Sequence, residues 1–395
     1  MFQILVLNSI SAAGLKRLPG ARYRVGKEAA NPDAILLRSH PLQVSEIPES
    51  VKAVGRAGAG VNNIPVEELT RRGVPVFNAP GANANAVKEL VLAAILIGAR
   101  NLAPALAFTQ ALPSDATDFE SRVEEGKKAY AGVELPGRTL GVIGLGAIGG
   151  LVADTAIRMG MKVLGYDPDI TVDSAWRLPA SVRKAQSVDE VMKHSDFITL
   201  HLPLLPQTRH LVNAERLSGI RKGAVLLNFA REGIVDEEAV KAALADKRLK
   251  AYLCDFPSPG LAGVAGVVAF PHLGASTAEA EENCAVMVVD QLRDFLEQGT
   301  VRHAVNFPSV EMPRESAYRI AISNANVPNM VGQISTTMAR SGLNIHNMVN
   351  KSKGDMAYTL VDLDSAADAE TIRRITSIAG VLSVRVLPSP EEGAE

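Results

Sequence analysis

Gly144-Leu145-Gly146-Ala147-Ile148-Gly149 is a run whose residue types and spacing suit a definite chemistry. It follows the apolar stretch 140–143 and opens a segment of helical period that ends near Met159. In that setting Gly144 permits a tight turn, Gly146 lets the backbone approach a pyrophosphate, and Gly149 lets the helix lie close on the strand. Asp167 ends the next apolar run, 162–166, and its carboxylate suits the two hydroxyls of an adenosine ribose. The following Pro168-Asp169 supplies no arginine for a 2′-phosphate, so NAD is expected rather than NADP. A glycine turn alone is a weak sign, because such turns are common; strand, helix and terminal acid together carry the reading. Arg231 and His272 are two further candidates. Imidazole is a base near neutral pH and guanidinium a permanently charged fork for carboxylates, although either type in a loop is more often solvated.

Such residues need strand ends to hold them. Short runs rich in Val, Ile and Leu alternate with stretches of helical period, the pattern of parallel sheets covered by helices on both faces. One series comprises 3–7, 34–37, 53–55 and 74–77; a second comprises 139–143, 162–166, 197–200, 224–228, 251–255 and 267–269. The fold class is therefore α/β with two doubly wound, Rossmann-like domains. An apolar helix is expected over 88–100, followed by a polar crossover between domains at 113–128. A helix over 285–297 precedes Val305-Asn306-Phe307, which would return the chain to the first domain. The expected divisions are a discontinuous substrate domain, 1–97 with 289–308, and a cofactor domain, 98–288. After the polar linker Pro313-Arg314-Glu315, a ferredoxin-like β-α-β-β-α-β pattern occupies 317–388. Residues 388–395 read as a frayed tail.

With 395 residues the chain is too long for one hydrophobic core. Its 41 Lys and Arg against 43 Asp and Glu leave a formal charge of −2, without the single-sign runs that would track nucleic acid or an anionic membrane. The longest apolar stretch, 90–99, is too short to span a bilayer and is interrupted by Gly98. Residues 1–6 read as a strand, not a signal peptide, and Cys254 and Cys284 are too few for a disulfide framework. A cytoplasmic protein with reduced thiols and no metal is expected.

Two further blocks, Asn228-Phe229-Ala230-Arg231-Glu232-Gly233 with Asp236, and Pro271-His272-Leu273-Gly274-Ala275-Ser276-Thr277, resemble paired motifs of the D-isomer-specific 2-hydroxyacid dehydrogenases. The resemblance extends to Arg56-Ala57-Gly58-Ala59-Gly60, Asn78-Ala79-Pro80-Gly81-Ala82-Asn83 and Gly132-Val133-Glu134-Leu135, and covers residues 1–308. It implies that hydride leaves a carbinol carbon for nicotinamide while His272 takes the hydroxyl proton and Arg231 holds the substrate carboxylate. It also implies cofactor contacts from Pro203, Thr208, Phe229, Ala230, Arg231, Asp255, His272 and Gly274, beside the glycine turn and Asp167. One departure stands out. The family carries a Glu about five residues beyond the Asp that ends the preceding strand, and that position here is Gly260. A carboxylate would orient the imidazole and stabilise its protonated form. A slower enzyme, a carboxylate arriving from elsewhere and a lost activity all stay open.

On the substrate side the resemblance points to Arg56, Gly58 and Ala59, with Arg38 and Ser39 beside them. By the same resemblance the Arg56 turn and the last domain point to 3-phospho-D-glycerate, oxidised to 3-phosphohydroxypyruvate in the first step of serine biosynthesis; its two anionic groups would need two cationic sites, which Arg56 and Arg231 could supply with help from Arg38. Another D-2-hydroxy acid, or a non-catalytic NAD-binding regulator, are the alternatives. The last domain resembles an ACT module, with Asn326 and Asn344 as candidate effector ligands, serine as candidate effector, and Asn324 where serine-sensitive relatives carry His. A module used only for pairing is the other reading. The resemblance implies a homodimer or homotetramer, with helical contacts around 104–128.

Overall fold

The structure, a computed structural model, describes residues 1–114 and 117–389; the expected tail lies, from residue 390 onward, outside the described residues. The chain divides into two compact units, Met1–Asn83 with Ala278–Glu395, and Ala84–Thr277.

The first unit begins with a parallel sheet of β1 (Phe2–Leu7), β2 (Tyr23–Gly26), β3 (Ala34–Leu37), β4 (Ala53–Arg56) and β5 (Val76–Phe77), in the order β2-β1-β3-β4-β5. All of β3 is buried, as an uninterrupted apolar run covered on both faces must be. The helix Ala278–Gln298 packs on β4 at Gly55, where a β-carbon would lie 2.8 Å from the Leu292 side chain and 2.9 Å from Val288. Any larger residue there would overpack the core. Beyond the helix, Asn306 accepts from the Val76 amide and donates to the Val74 carbonyl, so the chain does return along β5.

The second unit is a seven-stranded parallel sheet of β6 (Thr139–Ile143), β7 (Lys162–Tyr166), β8 (Arg183–Lys184), β9 (Phe197–Leu200), β10 (Ala224–Asn228), β11 (Leu249–Cys254) and β12 (Val267–Ala269). Its order, β12-β11-β10-β9-β6-β7-β8, reverses direction between β6 and β9, the switch point at which doubly wound sheets bind ligands. The helix Ala84–Arg100 lies on this sheet, and Gly98 allows the approach: a β-carbon there would stand 3.1 Å from Val225 and 3.2 Å from Leu253.

Both expected domain boundaries therefore move. The division at 97/98 becomes 83/84, because the 84–100 helix packs on β10 and on the helix Ala147–Arg158. The division at 288/289 becomes 277/278, because the whole 278–298 helix belongs to the first sheet. The segment 113–128 is no crossover between units: it lies within the second one and forms the helix Phe119–Gly126, with residues 115 and 116 outside the described set.

The C-terminal residues form β13 (Tyr318–Ala325), β14 (Ile345–Lys353), β15 (Met356–Leu363) and β16 (Val381–Val386), an antiparallel sheet of order β14-β15-β13-β16 carrying the helices Met330–Arg340 and Ala369–Thr376. This is the ferredoxin-like pattern expected, but not on a loose tether. Ala321, Tyr358, Leu360 and Leu387 join the core of the first sheet. The Tyr358 hydroxyl donates to the Gly299 carbonyl, and Arg385 donates to the Phe295 and Leu296 carbonyls that end the 278–298 helix. Arg319 is buried, paired with Asp362, and also donates to the carbonyls of Gln298, Met312 and Pro313. The module thus shares one unit with the first sheet.

Candidate active site and cofactor site

Pairing in the second sheet sets Ile143 beside Tyr166 and Leu200, Leu200 beside Asn228, Asn228 beside Cys254, and Cys254 beside Ala269. These residues form one row across the sheet at the carboxyl ends of six parallel strands. Every expected cofactor residue follows that row, Thr208 the furthest along the chain, eight residues past Leu200. Gly144 leaves β6, Asp167 leaves β7, Pro203 and Thr208 follow β9, Phe229 to Arg231 leave β10, Asp255 leaves β11, and His272 and Gly274 follow β12. From the β7 end to the β12 end is five interstrand spacings, roughly 24 Å, so only an extended ligand reaches both.

The glycine turn fits a diphosphate. Gly144 has φ +91°, and a β-carbon there would strike the His201 carbonyl. A β-carbon on Gly149 would strike the Gly144 carbonyl, which is the close helix-on-strand contact its position implied. At Gly146, the N-cap of the 147–158 helix, a β-carbon would meet nothing within 4 Å, so open space faces the turn. The amides of Ala147, Ile148 and Gly149 begin that helix, where first-turn donors have no intrahelical acceptor and favour an anion. Asp167 accepts from the Leu145 amide at 2.8 Å and from the Asp169 amide at 3.0 Å, which fixes its carboxylate beside the turn with lone pairs to spare. These residues fit a dinucleotide with an unphosphorylated ribose. In the loop after β9, the Thr208 hydroxyl donates to the Pro203 carbonyl and accepts from the Leu205 amide.

Buried Asn228 shapes the Arg231 turn: its amide donates to the Arg231 carbonyl and its oxygen accepts from the Ala230 amide. Arg231 opens to solvent, while crowding around its guanidinium draws its pKa below the usual arginine range; it remains cationic at neutral pH. His272 sits at φ +57°, a left-handed conformation that turns its loop sharply, and its ring meets the edge of Phe256 at 5.2 Å.

Asp255, an expected cofactor contact, also holds the His272 loop. Its carboxylate is 2% exposed and accepts from the amides of Leu273 and Gly274, both at 2.7 Å. Burial pushes its pKa up, against the pull of those amides and of the neighbouring His272. Each oxygen accepts one amide of the turn that carries His272, so Asp255 shapes that turn. A side chain on Gly274 would crowd this arrangement, with its β-carbon 3.0 Å from Asp255 Oδ2.

The first unit gathers the substrate-side candidates in the same manner. Leu7, Leu37 and Arg56 form a row at the carboxyl ends of β1, β3 and β4. Asn8 Oδ1 accepts from the amides of Arg38 and His40, and Asn8 Nδ2 donates to the Ser39 hydroxyl. The Arg56 guanidinium donates to the Arg38 carbonyl and lies over Gly58, where a β-carbon would collide with it. Asn78 donates to the Ala59 carbonyl. Arg38 is paired with Glu281 at 2.8 Å, a partner on the 278–298 helix that sequence spacing could not reveal.

The two candidate effector asparagines are not brought together. Asn326 follows the end of β13 that pairs with Met356 and donates to the Gly354 carbonyl, whereas Asn344 adjoins Asp364 at the opposite end of the sheet. The length of β13 puts roughly 25 Å between these ends. Asn324 lies within β13, buried, next to the Thr359 hydroxyl.

A sequence profile of the NAD-binding domain of D-isomer-specific 2-hydroxyacid dehydrogenases matches residues 102–274. A D-3-phosphoglycerate dehydrogenase of Methanocaldococcus jannaschii is 34% identical over 344 residues, covering 86% of this chain and 62% of its own length. The enzyme of that name from Haemophilus influenzae is 31% identical over 371 residues, covering 89% of this chain and 85% of its own length. The chain thus spans only about three fifths of the Methanocaldococcus relative. Among solved structures, NAD-bound 3-phosphoglycerate dehydrogenase of Entamoeba histolytica superposes with a TM-score of 0.60 at 26% identity, covering 77% of this chain and 98% of that one.

Proposed function

Because the chain belongs to the D-isomer-specific 2-hydroxyacid dehydrogenase family, we propose that it oxidises 3-phospho-D-glycerate to 3-phosphohydroxypyruvate with NAD, the first step of serine biosynthesis. The observation that carries the reading is the single row of strand ends bearing the glycine turn, Asp167, Arg231 and His272. Relatives named D-3-phosphoglycerate dehydrogenase favour that substrate over other D-2-hydroxy acids. Bound at the turn, NAD supplies the hydride acceptor. Arg231 holds the substrate carboxylate and polarises the nascent carbonyl, while His272 takes the hydroxyl proton in oxidation and returns it in reduction. Arg56 and Arg38 are carried as cations for the second anionic group; Arg38 must exchange its partly exposed pairing with Glu281, which is worth at most about 1 kcal/mol.

The assay is reduction of phosphohydroxypyruvate followed by loss of NADH absorbance, beside a panel of 2-keto acids and with NADPH as comparison. His272→Ala should lower kcat by about 10²- to 10⁴-fold. Arg231→Ala should lower kcat/KM by roughly 10²-fold, as loss of charge-assisted hydrogen bonds to a carboxylate. Full activity in His272→Ala removes it as the acid/base. NADH binding without reduction of any 2-keto acid at any pH sinks the enzyme reading in favour of an NAD-binding regulator.

We also infer a cytoplasmic homodimer or homotetramer; no single helix among the described residues is long and apolar enough to cross a membrane. Serine is carried as the effector of the C-terminal module. With Asn326 and Asn344 at opposite ends of one sheet, a serine site using both needs two modules. Unchanged rates with serine in the same assay leave the module a pairing role alone.

A further inference from the structure

Gly260 occupies the position where a glutamate is expected, and the structure shows what fills the space. A β-carbon built on Gly260 would stand 3.0 Å from Oε2 of Glu237 and 3.8 Å from the Ser258 hydroxyl. A carboxylate oxygen therefore lies where a side chain from position 260 would begin. Glu237 is the first residue of the helix Glu237–Ala245, and its acidic neighbours have other work. Asp236 caps the helix by accepting from the Glu238 and Ala239 amides, and Glu238 pairs with Lys241. Glu237 has no cationic partner among the described residues and accepts one hydrogen bond, from the Ser258 hydroxyl at 2.8 Å.

The segment that holds Glu237 also packs on His272. Ser258 and Phe256 belong to one short segment after β11; Ser258 holds Glu237, and Phe256 packs its ring against His272 at 5.2 Å. The negative charge of Glu237 reaches Tyr252 and Cys254 on β11, and the next residue, Asp255, interacts with His272 and holds its turn. We propose that Glu237 is the positioning residue for His272, delivering from the 237–245 helix the carboxylate that Gly260 cannot. The inference rests on the dehydrogenase reading and names a part of its machinery. In oxidation the imidazole gains the substrate hydroxyl proton, and a fixed carboxylate stabilises the imidazolium and holds the ring in register. Such catalytic hydrogen bonds often close only in the substrate complex.

The test uses the full chain and steady-state reduction of phosphohydroxypyruvate in wild type, Glu237→Gln, Glu237→Ala and Glu237→Ala combined with Gly260→Glu. Glu237→Gln should lower kcat by about 10- to 100-fold with KM changed less than about 2-fold, the split expected of an interaction made in the transition state. The alkaline limb of its reduction profile should move to lower pH, because loss of the neighbouring negative charge disfavours the imidazolium that donates the proton. A merely structural role would lower the melting temperature and leave that limb in place. Position 260 has no left-handed backbone to forbid a side chain, and removing Glu237 clears its one close neighbour. The combined variant should therefore regain at least 10-fold of the kcat lost in Glu237→Ala and return the limb toward wild type. Wild-type kcat and pH profile in Glu237→Gln overturn the proposal, as does a folded combined variant with no recovery. An inactive wild type that binds NADH is a separate result: it removes the dehydrogenase reading itself.

Discussion

At the scale of single residues, buried polar groups decide how the strand ends are held, and they differ in what they tolerate. Asn228 and Asp255 have every important atom paired, which makes the turns they hold well defined. His201, just past β9, is half-buried with its ring turned inward; its Nε2 meets the Thr199 hydroxyl at 2.9 Å, and its buried Nδ1 has no partner among the described residues. Burial pushes its pKa down from 6.5 to about 3. The folded protein thus keeps the ring neutral where the unfolded chain would protonate it. This contribution to stability is complete above about pH 6.5 and is lost progressively as pH falls toward 3, at up to about 1.4 kcal/mol per pH unit. Urea unfolding of wild type and His201→Asn between pH 4.5 and 7 checks it: the variant's stability should fall less steeply by up to that slope. Parallel lines for the two proteins contradict a neutral buried imidazole. The glycine turn, Asp167, Arg231 and His272 were legible because each lies next to a strand end that local apolar pattern reveals. Glu237 and the hold of Asp255 on the His272 loop were not, because those contacts join residues about twenty positions apart through the fold.

Elements explain why the domain boundaries were misplaced. Periodicity identifies the 84–100 and 278–298 helices as having a buried face, but it does not say which sheet that face meets. The deciding contacts are tertiary: Gly98 against Val225 and Leu253, and Gly55 against Val288 and Leu292. The helix Leu102–Gln110 poses the opposite problem. It is strongly apolar yet contributes no buried residue; Phe108 packs near Tyr130 at 5.5 Å, while Leu102 and Leu106, one turn apart, are 40% and 63% exposed. An apolar stripe left open in this way is suited to a second copy of the chain. Leu106→Lys should shift the protein toward monomer in sedimentation velocity while its far-ultraviolet circular dichroism stays unchanged. A variant that keeps the wild-type sedimentation coefficient places the subunit contact elsewhere.

At the scale of the whole molecule, the C-terminal module was legible as a β-α-β-β-α-β pattern, and its anchorage was not, since sequence spacing showed only a short polar linker between two domains. The linker is instead clamped. Arg314 donates to the carbonyls of Ser316 and Ala317, and Arg319 reaches three carbonyls on either side of the junction as well as Asp362. The Arg319–Asp362 pair has side-chain exposures of 1% and 0%, so removing one partner strands a charge in the core. Arg319→Ala should therefore cost about 3–5 kcal/mol of unfolding free energy. Replacing both partners with apolar residues of similar volume is often neutral for a buried ion pair, but not here. The carbonyls of Gln298, Met312 and Pro313 and the Glu315 amide would lose their partners; the Met312 carbonyl, which is buried, would be left unpaired at a cost of about 1–3 kcal/mol. Arg319→Met with Asp362→Leu should thus remain clearly less stable than wild type in urea, with trypsin cutting first between 308 and 318. A double variant as stable as wild type would show that the pair acts as an isolated salt bridge and does not fasten the module to the first sheet.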